Sequence, residues 1–206
     1  MKASPKQLDA LRELLNIGIG RAAGILNEVL SAHIKLRMPE VEILSAEEFE
    51  SKIDQIGDGV TAAVRLGFHG PFKGTASLVF SQDSANKLVN ILTGKRADDK
   101  DFDDVKRSAL SEIGNMVING VMGSISNMLD AQLNYSIPSY VEQEQAIRSV
   151  LRESATGQVI LLGHAQFYVT EHLIRGEVLL VFEIGSFQGF IDALDATIPE
   201  TRPVVG

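Results

Sequence analysis

Apolar side chains recur at steps of three and four from Leu8 through Leu11, Leu15, Ile19, Ala22, Leu26 and Leu30. That spacing gathers them on one stripe of a long α-helix. Ser4 and Pro5 ahead of the stripe, with Gln7 three residues after Ser4, read as an N-cap, a first-turn proline and a capping-box partner. A second stripe, Leu110, Ile118, Val121, Ile125 and Leu129, follows the acidic run Asp98 to Asp104, whose charges suit a helix N-terminus. Residues 35–44, 59–68 and 73–80 have the pattern of strands; 146–151, 158–168 and 174–183 are their expected counterparts, and 134–142 is partly extended. Short helices are expected over Ser84–Thr93 and Ser186–Ala196. Helix, three strands, helix, written twice, predicts an α+β fold with a six-stranded, largely antiparallel sheet and exposed long helices.

The two passes are copies. A shift of 99 positions carries Glu13 to Glu112, Asn16 to Asn115, Ile19 to Ile118, Gly24 to Gly123, Leu30 to Leu129 and Pro39 to Pro138. Further on, a shift of 102 aligns the segment from Gly74 to Phe80 with that from Gly176 to Phe182. The expected organisation is therefore one domain over residues 1–206, built of pseudo-symmetric halves at about 4–97 and 103–196, with 197–206 as a loose tail.

Composition narrows the chemistry. The 206 residues carry 19 Lys and Arg against 27 Asp and Glu, a net charge of −8, which disfavours nucleic acid as a partner. Zero Cys removes thiol catalysis, thiolate-bound metal and disulfides, in keeping with a cytoplasmic protein. The four His (His33, His69, His164 and His172) include no pair spaced for a metal site on one helical face. His33 is expected at the solvent margin late in the first helix. No apolar leader or spanning segment is evident, so neither a membrane nor a bound cofactor is expected. Six helical glycines (Gly18, Gly20, Gly24, Gly114, Gly120 and Gly123) each cost about 1 kcal/mol relative to Ala. Either close backbone approach or a gap kept for a partner must offset them.

On a helical projection Asp9, Glu13, Asn16 and Gly20 fall on one flank of the first apolar stripe; Ser108, Glu112, Asn115 and Asn119 take the equivalent places on the second. One Glu-x-x-Asn means little on a solvated helix. Glu, Asn and Pro at three prescribed positions arise by accident about once in ten thousand starting points, and here the set occurs twice. Asn27, Asn119 and Ser126 lie on nearly the same stripe, and spacing alone does not choose among these amides and hydroxyls.

Asp9, Glu13, Asn16 and Pro39, and again Ser108, Glu112, Asn115 and Pro138, follow the pattern Asp or Ser, three residues, Glu, two residues, Asn, twenty-two residues, Pro. In this the chain resembles the CheC–CheX–FliY family of chemotaxis phosphatases, from Asp9 to at least Phe182, and most of all its two-motif CheC branch. The end at Gly206 gives no expectation of the switch domain that FliY-type members append. The resemblance implies a phosphatase acting on the aspartyl phosphate of a CheY-type response regulator. Asn16 and Asn115 would orient the attacking water, Glu13 and Glu112 would dock the regulator, and Asp9, Ser108, Pro39 and Pro138 would support the motif. Mg²⁺ is expected on the regulator, not on this chain. A CheD-like deamidase is a further partner the resemblance suggests. The alternative is a non-catalytic scaffold that docks a regulator or a flagellar switch component through the same helices.

Overall fold

The computed structural model describes residues 3–30, 33–56, 60–142, 158–169 and 172–197. In chain order the elements are α1 (Pro5–Leu30), β1 (Ile34–Ser45), α2 (Ala46–Ile56), β2 (Val60–His69), β3 (Gly74–Ser81), α3 (Gln82–Thr93), α4 (Phe102–Met128), β4 (Asn134–Tyr135), β5 (Ser139–Glu142), β6 (Val159–Val169), β7 (His172–Phe182) and α5 (Ser186–Thr197). The capping box at the start of α1 forms: the Ser4 N–H donates to Gln7 Oε1 at 2.8 Å, and the Gln7 N–H donates to Ser4 Oγ at 3.3 Å.

One antiparallel sheet runs β1-β6-β7-β3-β2-β4, with β5 continuing beside β2 after β4. The order is the same from either edge once the halves are exchanged. Each half sends its first strand across to the second strand of the other, so β1 pairs β6 while β4 and β5 pair β2. The interlocked pairing makes one hydrophobic core out of two copies. α1 and α4 lie side by side on one face, their Leu14, Ile19, Leu26, Val117 and Val121 buried in the main core. A smaller cluster on the opposite face, Leu44, Ile160, Leu162, Leu179 and Val181, is joined by Phe49 of α2.

Three expectations change. The place equivalent to that of β1 is taken by the interrupted pair β4 and β5; the strand expected at 146–151 lies outside the described residues, as do residues 198–206 of the tail. Among the described residues the sheet has seven strand segments, or six when β4 and β5 are taken as one strand broken at Pro138. α2 was not expected, because it offers only a short, highly charged pattern; its start is a capping box in which the Ser45 N–H donates to Glu48 Oε2 at 2.8 Å and the Glu48 N–H to Ser45 Oγ at 3.1 Å. His33 lies beyond α1, exposed and next to Ile34 at the start of β1.

The helical glycines divide. A Cβ on Gly18 would meet the Val121 Cα at 2.6 Å, and one on Gly120 the Gly18 carbonyl at 2.8 Å, so α1 and α4 cross in backbone contact there. Gly20, Gly24 and Gly123 face open space.

Candidate functional site

Pro39 has no N–H to give to the sheet, and the β1–β6 register slips by one residue between Arg37 and Glu40. The slip releases the peptide groups of Met38 toward α1, where Asn16 takes them up. Asn16 Nδ2 donates to the Met38 carbonyl at 2.9 Å and to the Arg12 carbonyl at 2.8 Å, while the Met38 N–H donates to Asn16 Oδ1 at 2.8 Å. Both carboxamide donors are therefore used, and one acceptor lone pair remains. The Met38 side chain is fully buried against Gly163, where a Cβ would lie 2.3 Å from Met38 Sδ.

Asp9, Glu13, Asn16 and Pro39 come together with Arg12, Arg37 and Met38 around an open groove of about 550 Å³. Arg12 is paired to Asp9. Arg37 is held back by Gln166, 3.2 Å from its Nε, and by the Tyr168 ring, 4.7 Å from its guanidinium carbon. Glu13 is exposed and has no ion pair among the described residues. Farther along α1 a second hollow, about 680 Å³, opens over Gly20, Gly24 and Asn27. Asn27 itself is engaged with backbone, accepting from the Ile34 N–H at 2.5 Å.

The second copy has the same residues in a different state. Ser108 and Glu112 are exposed and Asn115 is half-buried. Asn115 Oδ1 accepts from Asn119 Nδ2 at 2.7 Å, and its own two N–H donors have no partner among the described residues. After α4 the chain reverses at Asp130, whose φ is 46°, and Ser126 Oγ donates to the Ala131 carbonyl at 2.6 Å. It then runs back along the helix. Tyr135 Oη donates to the Met122 carbonyl at 3.3 Å, and Tyr140 pairs Val64, the residue on which Gly114 packs. Pro138 sits in the break between β4 and β5, where Tyr135 faces Phe68 but Ser139 faces Arg65, again a slip of one residue. Ile137, at the position of Met38, is 90% exposed. Neither Met38 nor Ile137 stands out in the sequence; only the 99-residue shift pairs them.

A polar cluster lies away from both motif helices, on the sheet face that carries α2. His164 Nδ1 is 2.8 Å from Glu177 and Nε2 is 3.3 Å from Glu42, which also pairs with Lys52. The hydrogen bond to Glu177, reinforced by both carboxylates, holds His164 up at about 9. Burial pushes Glu177 up against the opposing pull of the imidazolium, while Lys52 first, then His164, hold Glu42 down. No group of three or more His, Asp or Glu side chains is placed to hold a metal ion among the described residues, and no described helix is long and apolar enough to cross a membrane.

The fold and site define an α+β protein of two interlocked copies, each presenting a Glu and an Asn from a long surface helix beside a proline-broken strand. The family model "Chemotaxis phosphatase CheX" matches residues 62–161, a span that contains the second motif and not the first. CheY-P phosphatase CheC of Bacillus subtilis (strain 168) is 24% identical over 203 residues, covering 94% of this chain and 96% of that one. Thermotoga maritima FliY superposes with a TM-score of 0.73 at 18% identity, over 96% of this chain and 100% of that one. The CheX of a CheX–CheY–BeF3–Mg²⁺ complex from Borrelia burgdorferi gives 0.53 at 14% identity, over 84% and 99%. The middle domain of FliM from H. pylori gives 0.64 at 12% identity, over 93% and 99%. In sequence and in fold the chain is similar to the CheC–CheX–FliY family of chemotaxis phosphatases, and to CheC over almost its whole length.

Proposed function

We propose that this protein hydrolyses the aspartyl phosphate of a CheY-type response regulator in the cytoplasm, at two unequal sites. The observation that carries the reading is the Asn115 carboxamide, half-buried with both N–H donors unengaged among the described residues and one turn from the exposed Glu112. A neutral amide can hold a water beside a phosphoryl anion without repelling it, and phosphoryl transfer depends chiefly on such positioning and on charge stabilisation. The water oxygen forms the new bond to phosphorus, the bond to the aspartyl oxygen breaks, and aspartate and inorganic phosphate result. Glu112 and Glu13 dock the lysine beside the phosphoaspartate of the regulator, which also brings the Mg²⁺ ion. Ser108 and Asp9 flank them. Asn16 supplies only its remaining oxygen lone pair, so the first site is the weaker one. A CheD-like deamidase belongs to the reading as a second partner.

The experiment is phosphate release from a phosphorylated regulator with wild type, Asn16→Ala, Asn115→Ala and the double variant. Asn115→Ala is expected to cost a hundredfold or more at its own site. A double variant as fast as wild type ends the catalytic reading. A wild type that binds the phosphorylated regulator without releasing phosphate leaves the scaffold reading, to which the likeness of fold to FliM gives some weight. Glu112→Lys is expected to weaken docking at the second site only; unchanged kinetics with Glu112→Lys and Glu13→Lys, alone and together, removes the docking role.

A further inference from the structure

We propose that Ile137 is a docking contact for the phosphorylated regulator at the second site, an apolar prong that the first site lacks. The inference rests on the phosphatase reading and deepens it. Ile137 stands 22 residues after Asn115, as Met38 stands 22 after Asn16. Met38 is fully buried, whereas Ile137 is 90% exposed.

Two contacts fix where Ile137 lies along α4. On one side Tyr135 reaches the Met122 carbonyl; on the other Tyr140 pairs Val64, which touches Gly114. The chain between them passes the turns of the helix that carry Asn115 and Asn119. Ile137 therefore borders the unengaged amide, next to Pro138. Ile137 holds a β-branched apolar side chain almost wholly in water at the rim of a carboxylate and a carboxamide, so the apolar area it offers there is left for another molecule to bury. The surface continuous with it is the one to which the phosphatase reading assigns the regulator. Glu112 meets the regulator's lysine, Asn115 meets the water at its acyl phosphate, and Ile137 meets an apolar rim of the same face. A small phosphorylated molecule would reach Asn115 without touching Ile137, so the occupant is the regulator itself. Closing that rim also keeps bulk solvent from the one water that Asn115 holds.

The test uses the full chain carrying Asn16→Ala, which isolates the second site. Adding Ile137→Asp is expected to raise KM for the phosphorylated regulator roughly tenfold to a hundredfold, with a much smaller effect on kcat. Ile137→Leu restores most of the loss. Binding of a regulator charged with beryllofluoride and Mg²⁺ weakens by the same factor, and in chains carrying Asn115→Ala the residual first-site KM does not follow Ile137. A KM and a binding constant that both stay within twofold in the Asn16→Ala chain overturn the inference, as does an equal loss at the first site. If the double Asn variant releases phosphate at the wild-type rate, the catalytic reading is what has failed, and the beryllofluoride titration still decides Ile137.

Discussion

Asn16→Ala and Asn115→Ala remove the same group from equivalent places, yet their effects on folding should differ widely. At the first site the substitution leaves the N–H and carbonyl of the buried Met38 without the partners that hold them at 2.8 and 2.9 Å. An unsatisfied buried backbone group costs about 1–3 kcal/mol, and water entering from the groove relieves part of that for the pair. The expected loss is about 2–4 kcal/mol. At the second site the substitution removes one bond between two side chains, Asn119 to Asn115, for a loss below about 0.5 kcal/mol. In a chain of this length 1 kcal/mol moves Tm by roughly 2–4 °C, so Asn16→Ala should melt roughly 5–15 °C below wild type while Asn115→Ala stays within about 2 °C. Thermal unfolding followed by far-UV circular dichroism, repeated with urea, gives both numbers. Equal shifts for the two variants would refute the clamp. The same comparison matters for activity, because part of any loss in Asn16→Ala comes from a loosened β1.

Stability should also fall on the alkaline side. The folded state raises His164 from 6.5 to about 9, so the stabilisation, at most about 3 kcal/mol, is complete below pH 6.5 and is lost as pH rises through about 9. Melting curves from pH 6 to 10 should show this decline in wild type and a flatter profile in His164→Gln; parallel profiles would exclude the linkage. Among the glycines, Gly18→Ala should lose about 1–3 kcal/mol, since its Cβ would fall 2.6 Å from the Val121 Cα, while Gly24→Ala, facing open space, should gain about 0.5–1 kcal/mol. Thermal melts of the two variants check this, and a shift of the same sign in both would be the contrary result.

The stripes, caps and 99-residue repeat were legible because they are local or periodic. The capping box at Ser4 and Gln7 is bonded as its spacing implies, and Gly94, with φ 71°, closes α3 as a left-handed cap. α2 shows the limit of periodicity: Ser45 and Glu48 carry its start signal, but among its described side chains Phe49 alone is a fully buried apolar one. The β4–β5 counterpart of β1 was obscured by Pro138 and by exposed positions on both sides of it, a pattern with no alternation to follow. Strand exchange between halves was not legible at all, since pairing partners far apart in sequence leave no mark on either strand's own pattern. At the site, the motif spacing was visible, but its structural cause was not. The proline matters through the peptide groups it frees from the ladder, and these have no signature in residue type.

What separates the two copies is a packing choice one layer below the site. In the first, Gly163 of β6 leaves a socket that Met38 fills, with Leu15 buried on the helix. In the second, the 99-residue shift puts Val64 where Gly163 stands and Gly114 where Leu15 stands. Val64 fills the socket, Gly114 makes room for it where any Cβ would collide with the Val64 side chain, and Ile137 is left outward. With Ile137 outside, the backbone beside it does not reach Asn115, and the amide stays unclamped. This account makes Gly163→Val a test of cause. The new side chain would displace Met38 Sδ, now 2.3 Å from the Cβ position, and should convert the first site toward the state of the second. Overpacking and loss of the clamp together should cost about 3–5 kcal/mol. The diagnostic readout is oxidation. Met38 is fully buried and should resist mild peroxide in the native protein, whereas in Gly163→Val it should form the sulfoxide on the timescale of the exposed Met128. Mass spectrometry of the Met38 peptide decides it: protection equal to wild type would mean that the glycine is not what admits the side chain, and the divergence of the two sites would need another origin.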